Sequence, residues 1–359
     1  MPDDIGIQIG PRAIGVAVVG NQFDFVQRAQ RVGQDYFQQK GNLEVIMTVT
    51  CEPVSTPNVT SSNPNWQGVF PDADHRWVMG VRRGDAADFF SPRDPTGQVR
   101  AERERWLTED PENYAALTPT AEPALADTVA LARQLGVTLD PTLSPWEQLM
   151  ALGRAWEADF VWMHPDGTGA HRLIGGVVCF PSSWALRDKL GRTMSETHRP
   201  VPGLNTALDR QIETFFAKMI PGVAWTRENA NYSRVPDLNQ HPARLRRPLD
   251  ATVTSEEFLI RLEHQLLLKF PASGSILFAI RVEVFPLSEL LHCAEDSARL
   301  ARLLDTMSEA AAEYKGIAQA REVIVPLLRS VQSAKSVPQP HSESDTAPDP
   351  ARDAGLICP

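Results

Sequence analysis

Three polar residues on one predicted strand are the clearest candidates for chemistry in this sequence. Arg261, Glu263 and Gln265 alternate with apolar residues, and alternate residues of a strand lie on one face of its sheet. The predicted partner strand carries Arg281 and Glu283 at matching alternate positions. These side chains form either the solvated surface of a half-covered sheet or the polar wall of a pocket that polarises bound oxygen and holds a charged amine.

His198 is the histidine whose direction the sequence constrains most. Pro200 and Pro202 follow it, and proline fixes the backbone of a turn. A fixed imidazole suits a haem or metal ligand, and the alternative is a capping or surface histidine. Cys179 is a second conceivable ligand, although a buried strand cysteine is more often an inert core residue.

Two blocks of the sequence resemble the haem-dependent oxidative N-demethylase alpha-subunit family. The first block consists of RLIGGVVCFPSSW at 172–184, KLG at 189–191 and HRPVPG at 198–203. The second is RLEHQ at 261–265 with the hairpin residues that follow it. Weaker similarity occurs in WVMGV at 77–81 and YKG at 314–316, so the resemblance spans residues 75–330.

The resemblance implies an α+β fold in which a PAS-like central antiparallel sheet and flanking helices form a haem pocket. It implies a haem-dependent amine monooxygenase, an oxidoreductase of the oxidative N-demethylation type. The cofactor would be haem b, and O2 and electrons from an external NADPH-dependent flavin and iron–sulfur reductase would oxidise a small amine. Three alternatives stay open: N-oxygenation of an amino-acid amine to a hydroxylamine or nitro product, a non-catalytic haem PAS gas sensor, and an interaction protein without a cofactor.

The resemblance also implies roles for individual residues. His198 would be the iron ligand. Arg261 would donate to iron-bound oxygen, since preorganised donors stabilise developing negative charge. Glu263 would pair with the substrate ammonium or relay a proton, and Gln265 would contact the substrate. The residues expected to bind the haem propionates are Lys189, Arg199 and Arg281.

One segment departs from the family pattern. An Arg followed by Asn-Trp is expected after the middle helix, whereas residues 227–232 are Arg-Glu-Asn-Ala-Asn-Tyr. Tyr232 therefore stands where a tryptophan is expected. If this segment lines the pocket, Tyr232 binds the substrate. The substrate then differs from dimethylamine, which is the amine that the resemblance implies.

The elements that would position these residues have a mixed order of helices and strands. Antiparallel pairing is predicted from alternating apolar runs joined by turn residues. The predicted strands are 75–81, 158–164, 173–180, 224–232, 257–269 and 275–285. The predicted helices are 144–158, 182–190, 204–219 and most of 287–331.

Composition argues against several classes of partner. The 359 residues carry 45 acidic and 35 basic side chains, a net charge of −10, which disfavours nucleic acid and an anionic membrane surface. The four cysteines have no metal-binding spacing, so we expect reduced thiols and a cytoplasmic location, and the iron–sulfur cluster that the resemblance implies would lie on a partner. No apolar run is long enough to predict a membrane span.

We expect three parts along the chain. Residues 1–70 are an N-terminal extension or cap. Residues 71–331 are the haem-binding PAS-like catalytic domain. Residues 332–359 are a disordered tail, because Ser, Pro and acidic residues replace the apolar ones there.

Overall fold

The structure is a computed structural model that describes residues 64–335 and two short strands near the N-terminus, β1 (Ile9–Gly10) and β2 (Ala13–Ile14), which pair with each other. Most of the predicted extension and nearly all of the predicted tail lie outside the described residues. The last helix runs to Lys335, four residues beyond the end of the predicted catalytic domain. Among the described helices, none combines the length and apolar character needed to cross a membrane.

An antiparallel sheet of seven strands forms the centre of the described chain. Its strands are β3 (Arg82–Arg83), β4 (Ala115–Leu117), β5 (Asp159–Pro165), β6 (His171–Val177), β7 (Ala224–Ser233), β8 (Leu259–Lys269) and β9 (Ile276–Pro286). They are ordered β3-β7-β8-β9-β5-β6-β4, and all neighbours pair antiparallel. The predicted α+β class with a central antiparallel sheet is confirmed.

The predicted hairpins form, and residues typical of turns stabilise them. In the β5–β6 turn, the Asp166 carboxylate accepts a hydrogen bond of 2.8 Å from the Thr168 N–H, as turn aspartates do. The β8–β9 turn ends at Gly274, whose φ of +69° is in the left-handed region that favours glycine. β7 matches the predicted strand at 224–232.

Helices cover both faces of the sheet. They are α1 (Trp66–Val69), α2 (Ala86–Phe90), α3 (Gln98–Glu109), α4 (Pro111–Tyr114), α5 (Glu122–Gln134), α6 (Pro145–Ala155), α7 (Met194–His198), α8 (Leu204–Lys218), α9 (Ser288–Leu291), α10 (Ala294–Asp305), α11 (Glu309–Tyr314) and α12 (Arg321–Lys335). On one face, Trp162 packs with α5 and α6, and Tyr232 packs with α10 and α12. On the other face, Met163 and Leu267 pack against α8. Burial on both faces accounts for the nearly continuous apolar runs in these strands.

Two predicted elements do not form. Residues 182–190 are irregular rather than helical. Ser183 has a φ of +65°, which a helix does not allow, and its N–H donates to the Gln240 carbonyl at 3.1 Å. Residues 75–81 are also irregular, and only the two residues of β3 join the sheet beyond them.

Gly176 allows β6 to approach β5 closely. Its φ is +144°, and a Cβ at this position would lie 2.1 Å from the carbonyl oxygen of Phe160 on the neighbouring strand. Because the clash is with backbone, a rotamer change cannot relieve it. A larger residue would therefore force the two strands apart.

A fully buried ion pair connects the helical layer to the sheet. Arg103 of α3 donates to the Asp159 carboxylate at 2.6 Å and to the Gly153 carbonyl at 2.8 Å. The same carboxylate accepts from the backbone N–H groups of Cys179 and Phe180 at 2.7 and 2.8 Å. Asp159 thus fixes the chain as it leaves β6 towards the segment that carries Ser182.

We expect Asp159→Asn to lower the free energy of unfolding by about 3–5 kcal/mol, because the substitution leaves the Arg103 charge buried and unpaired. Urea-induced unfolding measures the loss. The matched control is Glu109→Gln, which breaks the exposed pair that Glu109 forms with Arg105 on the same helix and costs below about 1 kcal/mol. Equal losses in the two variants would contradict the structural role of Asp159.

Candidate functional site

The carboxylate of Glu263 is the centre of a buried polar network on β7 and β8. Its Oε1 accepts hydrogen bonds from Ser182 Oγ at 2.5 Å and Asn231 Nδ2 at 3.0 Å. Its Oε2 accepts from Asn229 Nδ2 at 3.0 Å and Gln265 Nε2 at 2.8 Å. Two oxygens of a carboxylate offer about four acceptor sites, so neutral donors occupy them all. The predicted pair Glu263 and Gln265 is brought together.

Strand register explains why these side chains meet. Asn229 lies opposite Glu263, and Asn231 lies opposite Arg261. Directly opposed residues in an antiparallel pair share a face, and the period of two adds Arg227 and Gln265 to the same side. The network is therefore a consequence of the β7–β8 pairing.

Arg261 occupies a different position from the one that the sequence predicts. It is fully buried, and four of its five N–H groups donate: to Ser182 Oγ, and to the carbonyls of Phe180, Asp237 and Leu238, at 2.5–3.1 Å. Its guanidinium therefore fastens two loop segments to the sheet. This position does not support the prediction that Arg261 donates to iron-bound oxygen, because four of its N–H groups are already engaged.

Arg227 is the guanidinium with open donors on this face. Its Nε is buried and has no hydrogen-bond partner among residues 64–331. Burial lowers the pKa of Arg227, and the nearby Glu263 carboxylate opposes that shift. The departure from the family pattern marks the segment that begins at Arg227, but the sequence predicts a substrate contact for Tyr232 and no role for Arg227.

His198 ends α7 beside this network. A capping box, in which Thr193 and Glu196 satisfy each other's backbone N–H groups, starts the short helix. Trp77 fixes the following turn, because its indole N–H donates to the Pro202 carbonyl at 2.9 Å. Burial, with the charges of Lys189 and Arg227, lowers the pKa of His198 to about 4. The imidazole is therefore neutral at pH 7, and within the described chain its buried Nδ1 lacks a hydrogen-bond partner.

The other predicted cofactor residues are divided among three places. Lys189 is close to His198 and donates to the Thr197 carbonyl at 2.8 Å. Arg199 is largely exposed, with 74% of its side chain accessible. Arg281 lies on the opposite face of the sheet, where it donates to the Phe89 carbonyl at 2.9 Å and lines a cleft of about 340 Å³. Arg281 is therefore not part of the Glu263 network.

Tyr232 also faces away from the network. It lies opposite Ile260 and packs against Phe258 with a ring distance of 5.4 Å. Burial raises the pKa of its hydroxyl. Its strand position differs by one residue from that of Asn231, and this parity places it in the apolar core. The prediction that Tyr232 binds substrate is not supported by its position.

Lys315 is a site residue that the sequence analysis left without a role. It directly follows α11, and its Nζ donates to the Ala230 carbonyl at 2.9 Å and to Asn231 Oδ1 at 3.1 Å. The charges of Glu263 and Arg227 both influence its pKa, which places all three side chains in one neighbourhood. We call His198, Arg227, Glu263 and Lys315 the polar cluster. The YKG motif was the available signal for Lys315.

A comparison with known families covers the same part of the chain. The sequence model described as haem-dependent oxidative N-demethylase, alpha subunit-like, matches residues 131–325, which is more than half of the chain and contains the whole polar cluster. The chain belongs to this family. The family description indicates a haem-dependent oxidative enzyme, and the term alpha subunit suggests that a partner subunit exists.

We expect Tyr232→Phe to leave the kcat/KM of oxidative turnover unchanged, because the hydroxyl lies on the face opposite Glu263. Steady-state oxygen consumption measures this value. As a control, Tm of the variant should stay within a few degrees of the parent value, corresponding to about 1 kcal/mol or less. A tenfold loss of kcat/KM without a change in Tm would show that the Tyr232 hydroxyl belongs to the functional site.

Proposed function

We propose that the protein is a haem-dependent monooxygenase that oxidises a small amine with O2 and with electrons from a reductase. The observation that carries the proposal is the neutral, partly orphaned imidazole of His198 beside Arg227, on the sheet face that holds the Glu263 carboxylate. A neutral imidazole is the form that ligates iron, and a carboxylate is the natural counter-charge for an ammonium.

The residues of the polar cluster fit a haem. His198 would be the iron ligand, and its buried Nδ1 or its other ring nitrogen would gain the partner that it lacks in the described chain. Lys189 and the exposed Arg199 would meet the propionates, since arginine forks match carboxylates. When bound, haem b would supply the iron centre at which O2 is reduced and the amine is oxidised.

The chain's own residues would orient the amine. Glu263 would attract the ammonium by charge, although its acceptor sites are already occupied by neutral donors. The hydrogen bonds would then come from the neighbouring amide oxygens of Asn229 and Gln265. Arg227 would hold positive charge where reduced oxygen develops negative charge, the role predicted for Arg261.

The reaction requires an electron donor. Removing a methyl group from an amine with O2 consumes a pair of electrons and two protons and releases the demethylated amine, formaldehyde and water. The alpha-subunit-like description supports a partner. We propose an external NADPH-dependent flavin and iron–sulfur reductase as that partner.

The optical spectrum of the purified protein tests haem binding. We expect a Soret band that disappears or weakens strongly in His198→Ala, because the iron loses its ligand. The matched control is His241→Ala, since His241 also has a buried nitrogen without a partner in the described chain but lies beside Tyr114. A His198→Ala protein with the parental Soret band would refute the ligand assignment. A Soret band without amine-dependent O2 uptake would favour the gas-sensor alternative.

Glu263→Gln tests the amine anchor. We expect kcat/KM to fall by about 100-fold or more, corresponding to about 3 kcal/mol, while the Soret band is retained. Ser182→Ala is the control, because it removes the hydroxyl that bonds both Glu263 and Arg261 but keeps the carboxylate, and we expect a loss below tenfold. Unchanged kinetics in Glu263→Gln would remove this residue from the mechanism.

N-oxygenation of an amino acid is the second candidate function. The specific observation in its favour is that Arg227 and Lys315 place two cations beside the single anion Glu263. A zwitterionic substrate would match this arrangement, with its carboxylate near the cations and its ammonium near Glu263. A panel of methylamines and amino acids, with product masses as the readout, distinguishes demethylation from N-oxygenation.

A further inference from the structure

Lys315 is a lysine in a chain that mostly uses arginine. Only six of the 35 basic residues are lysines, and this one stands in the polar cluster. An arginine there would supply a permanent charge, whereas a lysine loses its proton readily when it is buried. The choice of residue therefore permits an uncharged amine beside Glu263.

The hydrogen bonds of Lys315 suit the uncharged amine. Its Nζ donates to the Ala230 carbonyl at 2.9 Å and to Asn231 Oδ1 at 3.1 Å. A neutral primary amine has two N–H bonds, so these two acceptors use both and the lone pair points elsewhere. Trp77 covers the amine, with its ring centroid 5.9 Å from Nζ.

The charges around Lys315 come from three elements. Glu263 on β8 favours the ammonium form, whereas Arg227 on β7 disfavours it, and His75 of the irregular segment is close enough for the lysine to lower the histidine pKa. Burial is the largest influence, and the net result lowers the pKa of Lys315 to about 8. At pH 7 about one-tenth of the amine is therefore neutral, whereas an ordinary lysine has well below about one-hundredth in that form.

We propose that Lys315 is a reversible covalent acceptor for a small aldehyde, the class of product that oxidative N-demethylation releases. The source of the aldehyde rests on the proposed function; the reactivity of the lysine does not. The neutral Nζ attacks the carbonyl carbon, a C–N bond forms, and a proton moves from nitrogen to oxygen to give a carbinolamine. Loss of the hydroxyl group with a second nitrogen proton, as water, leaves an imine. Hydrolysis reverses both steps, and no oxidant or reductant is consumed.

Reductive trapping tests the proposal on the full chain. The protein is treated at pH 7 with limiting formaldehyde and cyanoborohydride, and peptide mass mapping follows methylation of each lysine over time. The internal reference is Lys218, an exposed lysine at the end of α8. We expect Lys315 to be methylated at least about tenfold faster than Lys218, because a pKa near 8 gives a much larger neutral fraction than the ordinary value near 10.4.

The rate at Lys315 should rise with pH and level off above pH 8. In Lys315→Arg the fast phase should vanish while the Lys218 rate stays unchanged. Methylation of Lys315 at or below the rate of Lys218 in the parent protein overturns the proposal, whether or not the variant folds.

Because formaldehyde is added directly, trapping does not depend on amine oxidation. Fast methylation of Lys315 in a protein that fails to oxidise every amine tested would remove the proposed function and keep the reactive lysine. Amine oxidation by a protein whose Lys315 is methylated no faster than Lys218 would keep the proposed function and remove the reactive lysine.

Discussion

The hydroxyl of Ser182 joins two opposite charges that stand two residues apart on one strand. It accepts from Arg261 and donates to Glu263, so the guanidinium and the carboxylate stabilise each other through a neutral group. Buried charges are tolerated only when they are paired and hydrogen-bonded. Arg261 meets this condition by donating hydrogen bonds to backbone carbonyls of two loops. Glu263 meets it by accepting hydrogen bonds from side-chain amides of both strands. The loops, the sheet and the polar cluster therefore depend on one connected network.

Arg261 and Arg227 have different roles in this network, although the sequence alone does not distinguish them. Arg261 and Arg227 face the same side of neighbouring strands, but the first uses four of its five N–H groups on Ser182 and three carbonyls, whereas the Nε of the second has no partner in the described chain. The positive charge at Arg227 and Lys315 exceeds the negative charge at Glu263, although the whole chain carries a net charge of −10. A local excess of this sign favours ligands that bring carboxylates, such as haem propionates or an amino acid.

Sequence periodicity predicts most of the sheet because β-branched and apolar runs alternate with turn residues at β5–β6 and β8–β9. It predicts that Glu263 and Gln265 share a face for the same reason. It fails at residues 182–190, since a single left-handed Ser183 held by Gln240 overrides helical propensity. It also fails for Tyr232 and Arg281, because the face of a strand residue depends on register against neighbours. Lys315 is remote from β7 in the chain, and only tertiary packing brings it to Asn231.

The close approach at Gly176 changes how the strongest family motif should be used. The paired glycines in RLIGGVVCFPSSW allow close backbone contact between β6 and its two neighbours, Gly175 with Ala116 of β4 and Gly176 with Phe160 of β5. A motif search keyed on that string selects proteins that share an architecture. Divergence of substrate among relatives should instead be followed in the alternate residues of β7 and in the residue after α11, whose side chains form the polar network around Glu263.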